Sequence, residues 1–394
     1  MRHVAYRDST SAAAFAKGRF SGTGVDAARL TLRDPAGTMS YTDPYGDGGS
    51  QRYEYGRWVS PVVRPGFDYT ELVTSWNART PGGSWLQIEV RGTADVGGLS
   101  KWYVLGRWAA YDHGIHRTSV PAQGDDLGYV AVDTLVAAKG RSLSTWQLRV
   151  TLYRPVGGGV TPRVSLIGAM ASALPDDKSV PVSSVNGAAG ITLDVPTYSQ
   201  EIHVGEYPQW DNGGEAWCSP TATAMVLAYW DSGPTPQDYS WVDPSYADPW
   251  VNHAARYVYD YAYDGAGNWP FNTAYAATFG LEAFVTRLRS LTEAERFIKA
   301  GIPLVASVSF KKNELDGAGY GTNGHLLVIV GFTKRGDVVV NDPASHLVAS
   351  NAQVRTVYDR EQFENVWIPR SGGIVYVIHP ADVPLPPAPS EANW

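Results

Sequence analysis

The sequence predicts two domains of different class, an N-terminal all-β sandwich over residues 1–172 and an α+β domain over 191–394, joined by a linker at 173–190. Three observations predict it. The first part alternates apolar and polar residues between turn signals, with no long helical period intervening. Residues 173–190 mix Pro175, Asp176, Asp177, Pro181, Gly187 and Gly190 with little periodicity. Beyond them, helical spacing alternates with short buried runs. At 394 residues, 44% hydrophobic and 12% aromatic, the chain has ample apolar material for two cores.

In the first domain Leu86, Ile88 and Val90 alternate with Gln87, Glu89 and Arg91, and Trp146, Leu148, Val150 and Leu152 alternate with Gln147, Arg149 and Thr151, so each run has one apolar face. Further strands are expected near Leu30-Thr31-Leu32, Glu71 to Trp76, Trp102 to Trp108 and Gly128 to Thr134. Gly56-Arg57-Trp58 recurs as Gly106-Arg107-Trp108, which hints at two equivalent positions in a sheet. Six tryptophans precede residue 173. Core packing is the favoured role for them; the functional alternative is a module that holds sugar rings or extended peptides on exposed aromatic side chains.

The second domain opens on the chain's single cysteine, Cys218, in Trp217-Cys218-Ser219-Pro220-Thr221. Ser219 and Pro220 suit a first helical turn, and Ala222, Met225, Val226 and Tyr229 follow at helical spacing. The helix therefore begins at the sulfur, where unpaired amides and the positive end of the helix dipole favour the reactive thiolate. Helices are expected around His253 to Tyr257 and Thr273 to Phe279. Another is expected over Thr292 to Ala300, with Thr292 and Glu295 as a capping box. Leu304 to Phe310 reads as a buried strand, leading through the Gly-rich loop Asp316 to Gly324 to His325.

His325 alone among the five histidines after residue 185 opens a strongly apolar strand, Gly324 to Phe332. Lys334 to Asp337 makes a turn, and Val338 to Asn341 returns to Asp342-Pro343, which brings Asp342 near His325. A three-residue loop sets position 328 opposite 342, so direct contact requires a bulge, with Asn341 the alternative orienter. A cysteine nucleophile needs such a base and such an orienter. It also needs donors for an oxyanion, for which Gln200 in Tyr198-Ser199-Gln200 and Gln209 are the candidates.

The order of Gln, Trp-Cys-Ser-Pro-Thr, Gly-His before an apolar strand and Asn-Asp-Pro resembles the papain-like cysteine peptidases. It resembles in particular the bacteriocin-processing (double-glycine) type, family thirty-nine, in its stand-alone bacterial branch. The resemblance covers about residues 191–380. It implies a papain-like fold with Cys218 as nucleophile, His325 as general base, Asp342 as its orienter and Gln200 in the oxyanion hole. One departure is the seventeen residues between Gln200 and Cys218, which require Gly205 to Gly214 to loop out. The transmembrane segments and ATPase of the transporter-linked members are not visible.

The expected function is hydrolysis of a peptide or isopeptide amide through a thioester, on a peptide or protein substrate, with cell-wall peptide as one candidate. The alternatives are acyl transfer or peptidoglycan amide hydrolysis on the same triad, or a non-catalytic binding protein acting through the β domain. A net charge of −7 without a basic cluster argues against nucleic acid. No apolar run reaches the roughly 18 residues of a membrane span. The first residues lack the apolar core of a signal peptide, yet relatives of this kind are usually exported, so an extracellular location is expected, with the cytoplasm as the alternative. No cofactor or metal is assigned: His113 and His116 in a Gly-containing loop make a poor zinc pair, and Asp43 to Gly49 lacks the ligand order of a calcium loop.

Overall fold

Period-two alternation in the first half is realised as two antiparallel sheets. The computed structural model describes all of residues 1–394. It divides the chain into one unit of Met1–Leu174 with Asp260–Asp264 and Trp394, and a second of Pro175–Tyr259 and Gly265–Asn393.

One sheet of the first unit runs Gly128–Ala131, Thr134–Ala137, Glu71–Arg79, Arg163–Ala173, Arg29–Leu32 and Thr23–Asp26, with His3–Ser9 also on Arg163–Ala173. The other runs Arg19–Ser21, Gln51–Val59, Leu143–Pro155, Trp85–Ala94 and Tyr103–Trp108, with Gly37–Tyr41 on Gln51–Val59. The apolar members of both predicted alternations are buried, and Trp76 of one sheet meets Trp108 of the other with centroids 6.4 Å apart. The repeated Gly-Arg-Trp triplets occupy equivalent places in the second sheet. Gly56 lies in a row with Leu152, Leu86 and Trp108, while Trp58 lies in a row with Val150, Ile88 and Gly106. Each Trp is thus level with the other triplet's Gly across the two central strands. Five of the six tryptophans are buried, and Trp102 alone is partly exposed. The expected strand Gly128 to Thr134 is instead a hairpin, because Val132 takes a positive φ of 56° and turns the chain.

The second unit is one six-stranded antiparallel sheet, in the order Glu282–Arg287, Ile374–His379, Leu304–Phe310, Thr322–Phe332, Val338–Asn341 and Arg355–Tyr358, with five helices. The helix Cys218–Tyr229 is buried on nearly every side rather than along one stripe, as a central helix is. Helices Pro249–Val258 and Trp269–Ala277 stand where helices were expected. No helix is long and apolar enough to cross a membrane.

The helix Leu291–Lys299 departs from the capping-box expectation. Ser290 is its N-cap, the Thr292 hydroxyl donates to the Ser184 carbonyl, and Glu295 points elsewhere. Glu295 accepts the backbone N–H groups of Asn186 (2.6 Å) and Ala188 (3.1 Å) and pairs with Arg360 (2.9 Å). Arg360 in turn donates to the Ser183 carbonyl at 2.8 Å, and Glu364 accepts the Ser183 N–H at 2.7 Å. The irregular stretch after residue 174 is therefore fixed along the second unit by two buried carboxylates and a buried guanidinium.

Candidate active site

Three elements meet at the cysteine. Trp217 caps the helix from outside, fixed by its indole N–H donating to the Trp210 carbonyl at 2.6 Å, and the helix starts at Cys218, whose side chain is partly exposed. The thiol lies within interaction range of the His325 ring. A partly exposed sulfur at a helix start beside a histidine is the setting in which a thiol is attacked or attacks.

His325 and Asp342 are brought together by the required bulge. Val328 pairs with Asn341 and Ile329 with Val340, but after a shift Gly331 pairs with Val339. Extending the register past Asn341 sets Asp342 opposite Leu327. Because faces alternate, that turns the carboxylate to the His325 side of the sheet; the unbulged register would turn it away. His325 Nε2 then donates to Asp342 Oδ1 at 2.8 Å. Asn341 points to the other face, where its amide donates to the carbonyls of Val195 and Pro196. Gly331 makes room for the bulge's outer neighbour: a Cβ there would stand 2.4 Å from the Ile191 carbonyl oxygen.

Asp342 is buried and receives more than the histidine. The Tyr358 hydroxyl donates at 2.6 Å, that of Tyr320 at 2.9 and 3.0 Å to the two oxygens, and the Ala344 N–H at 3.0 Å. Burial works against the carboxylate, but His325, Tyr358 and Tyr320 outweigh it and hold the group below its ordinary range. For His325, burial disfavours the charged ring; the Asp342 carboxylate and its hydrogen bond, with Cys218, overcome this and push its pKa up to about 10. The two tyrosines are site residues that sequence reasoning did not find. Tyr320 sits in the Gly-rich loop before His325, the one signal that pointed to it.

Gln200 is buried. Its Nε2 donates to the Glu215 carbonyl at 2.8 Å, three residues before the cysteine, and its backbone N–H donates to the Pro343 carbonyl at 2.9 Å, next to Asp342. The extra residues between Gln200 and Cys218 do loop out: Val204 bridges to Gly213, and the chain re-enters beside the glutamine. Gly214 is what allows this closeness, since a Cβ there would lie 2.4 Å from the Gln200 carbonyl oxygen and 2.3 Å from the His203 carbonyl carbon. Gln209 lies exposed at the far end of that loop. Glu201 is held above the ordinary carboxylate range by burial and then by Glu215, which places both acids near the site. Trp210 and Trp217 beside the site are buried packing, and Tyr198 is half-buried.

In the first unit, Asp43 accepts both the backbone N–H and Nδ1 of His116 at 2.7 Å. The loop of Asp43 to Gly49 and the loop that carries His113 and His116, neither assigned a metal, are thus tied to each other.

Two family models match. The Peptidase C39 N-terminal domain matches residues 5–172 and the Peptidase C39-like family matches 192–375. Together they take in most of the chain, which belongs to the C39 peptidase family. Among solved structures the chain is similar to a C39-like peptidase from Bacillus anthracis, at 19% identity and TM-score 0.30, covering 48% of this chain and 96% of that one. It is also similar to a carbohydrate-binding module of the β-sandwich superfamily, at 9% identity and TM-score 0.17, covering 42% of this chain and 56% of that one. No curated protein matches the chain.

Proposed function

We propose that the second unit is a cysteine peptidase that hydrolyses a peptide or isopeptide amide through a thioester acyl-enzyme. The observation that carries this reading is His325, held by Asp342 on one ring nitrogen with the Cys218 side chain beside the ring. Nε2 is committed to the carboxylate, which leaves Nδ1 for the thiol proton. The Cys218 sulfur attacks the carbonyl carbon, and the oxyanion takes hydrogen bonds from the Cys218 backbone N–H and the Gln200 amide. The imidazolium then gives its proton to the leaving nitrogen, so the amine departs and the thioester remains. Water, deprotonated by His325, attacks the thioester and releases the acid, and the proton returns to the thiolate–imidazole pair.

The test is incubation with a peptide library, read by mass spectrometry, for the wild type, Cys218→Ala and His325→Ala. The expected result is cleavage by the wild type, none by Cys218→Ala, and a rate for His325→Ala lower by about 10²–10⁴-fold. Cleavage that survives Cys218→Ala would refute the assignment.

A further inference from the structure

Residues 1–174 carry 19 Lys and Arg against 14 Asp and Glu, a net +5 in a chain whose total is −7. Five of the cations stand on one face of the six-stranded sheet. Cross-strand register sets Arg19, Val59, Arg149 and Glu89 in one row and Arg57, Thr151, Gln87 and Arg107 in the next. Arg91 lies opposite Gln147 in the row on the other side. Paired residues share a face, so the five guanidinium groups lie opposite the core that Trp58, Val150 and Ile88 fill. Successive rows on a face are about 6.6 Å apart and adjacent strands about 4.8 Å, so the array covers three rows and all five strands of the path.

One carboxylate answers them. Glu89, 4% exposed, is gripped by Arg149 through two hydrogen bonds, 2.6 Å to Oε2 and 2.5 Å to Oε1. Arg19, Arg57, Arg91 and Arg107 have no carboxylate partner. Three of them are held instead by rings and amides: Arg91 (4.5 Å) stands over Trp102, as Arg149 does (4.4 Å), Arg57 stands over Tyr55 (4.8 Å) and Arg107 over Tyr41 (5.3 Å). Arg91 also donates to the Gln147 amide oxygen at 2.8 Å and Arg107 to that of Gln87 at 3.0 Å. Burial, then the nearness of Arg19 and Arg149, draws Arg91 below its ordinary pKa. Like charges fixed side by side cost stability, and a sequence that holds them there departs from local preference as binding sites do.

We infer that this face binds an acidic polysaccharide. Its carboxylates meet Arg19, Arg57, Arg91 and Arg107, and its hydroxyls meet the Gln87 amide and the Tyr41 hydroxyl. Charge complementarity selects an anion, and the Arg149–Glu89 fork shows the carboxylate geometry the face already takes. The array's extent requires a ligand with repeated charges. An extended peptide docks on a sheet by pairing with an edge, whereas the main chain of this face is spent in its ladders. Nucleic acid bases need open ring faces to stack on, and here guanidinium groups already stand over the rings of Trp102, Tyr55 and Tyr41.

The test uses the full chain in affinity electrophoresis with polygalacturonate as the probe, beside neutral dextran, poly-L-glutamate and inorganic polyphosphate at matched charge. The expected result is retardation by polygalacturonate that fades with added salt and weakens by about ten-fold in Arg19→Ala/Arg57→Ala, two exposed side chains. Arg107→Gln serves if the double variant melts early. Cys218→Ala should bind as the wild type does, so this result stands or falls apart from the peptidase reading. Retardation by dextran, or retardation unchanged by the arginine substitutions, would overturn the proposal. Poly-L-glutamate or polyphosphate binding as tightly as polygalacturonate would overturn the assignment to a polysaccharide.

Discussion

Asp342 is the residue around which the site is organised, because its carboxylate collects one ring nitrogen, two hydroxyls and one amide in a buried place. Removing one donor leaves a buried acceptor short, at a cost of about 1–3 kcal/mol. Tyr358→Phe should show this loss in urea unfolding, together with a less acidic Asp342; unchanged stability would show that the hydroxyl contributes nothing. The pH window follows from the two shifts. His325 titrates near 6.5 when free and is pushed up to about 10, so its contribution is full below the lower value and is lost as pH rises through the higher. Asp342 is lowered from 3.8, so its contribution is present above that value and is lost as pH falls through the depressed one. The stability gap between wild type and Asp342→Asn should therefore be widest at about pH 4–6.5 and close toward pH 10, as measured by urea unfolding across pH. A gap that widens toward pH 10 would contradict the pairing. Cys218, His325 and Asp342 were legible because each sits beside a local signal: a helix start, a Gly-His before an apolar run, and an Asp-Pro stop. Tyr320 and Tyr358 were not, since a tyrosine in a loop or strand reads as packing until its hydroxyl has an address.

At the scale of elements, two glycines decide whether the site closes. Gly331 admits the Ile191–Thr192 segment over the bulge that turns Asp342 toward His325, and Gly214 lets the chain re-enter against Gln200. Gly331→Ala should cost about 1–3 kcal/mol by overpacking, measurable by denaturant unfolding, with slower peptide cleavage in the same preparation. A variant as stable and as fast as the wild type would show that the strand yields freely. The need for a bulge was readable from loop length and side-chain alternation, but its position was not, because the register depends on a segment more than a hundred residues upstream. The capping box failed for a related reason. Glu295 had a local use in its own helix and a distant one at Asn186 and Ala188, and the distant one prevailed.

The whole molecule divides its charge as it divides its fold. Residues 1–174 are net cationic within a chain that is anionic overall, a contrast that the total of −7 concealed and that a count by domain exposes. The two-part fold class was legible from period-two alternation followed by helical spacing; the strand order was not, because alternation gives a face and never a neighbour. The polar face of the arginine sheet was also legible as alternation, but its meaning depended on which strands lie side by side. If the two sites act separately, Arg19→Ala/Arg57→Ala should leave cleavage of a short neutral peptide unchanged, measured as kcat/KM. A large loss would mean that the arginine face takes part in catalysis.

The most direct measurement is the pH dependence of Cys218 alkylation by iodoacetamide, followed by mass spectrometry in the native wild type and in His325→Ala. A free thiol titrates near 8.5 and reacts slowly below neutrality. The expected result is fast labelling that persists below pH 7 and slows markedly when His325 is removed. Labelling that waits for denaturation, or that proceeds equally without His325, would make Cys218 a packing residue and contradict the peptidase assignment.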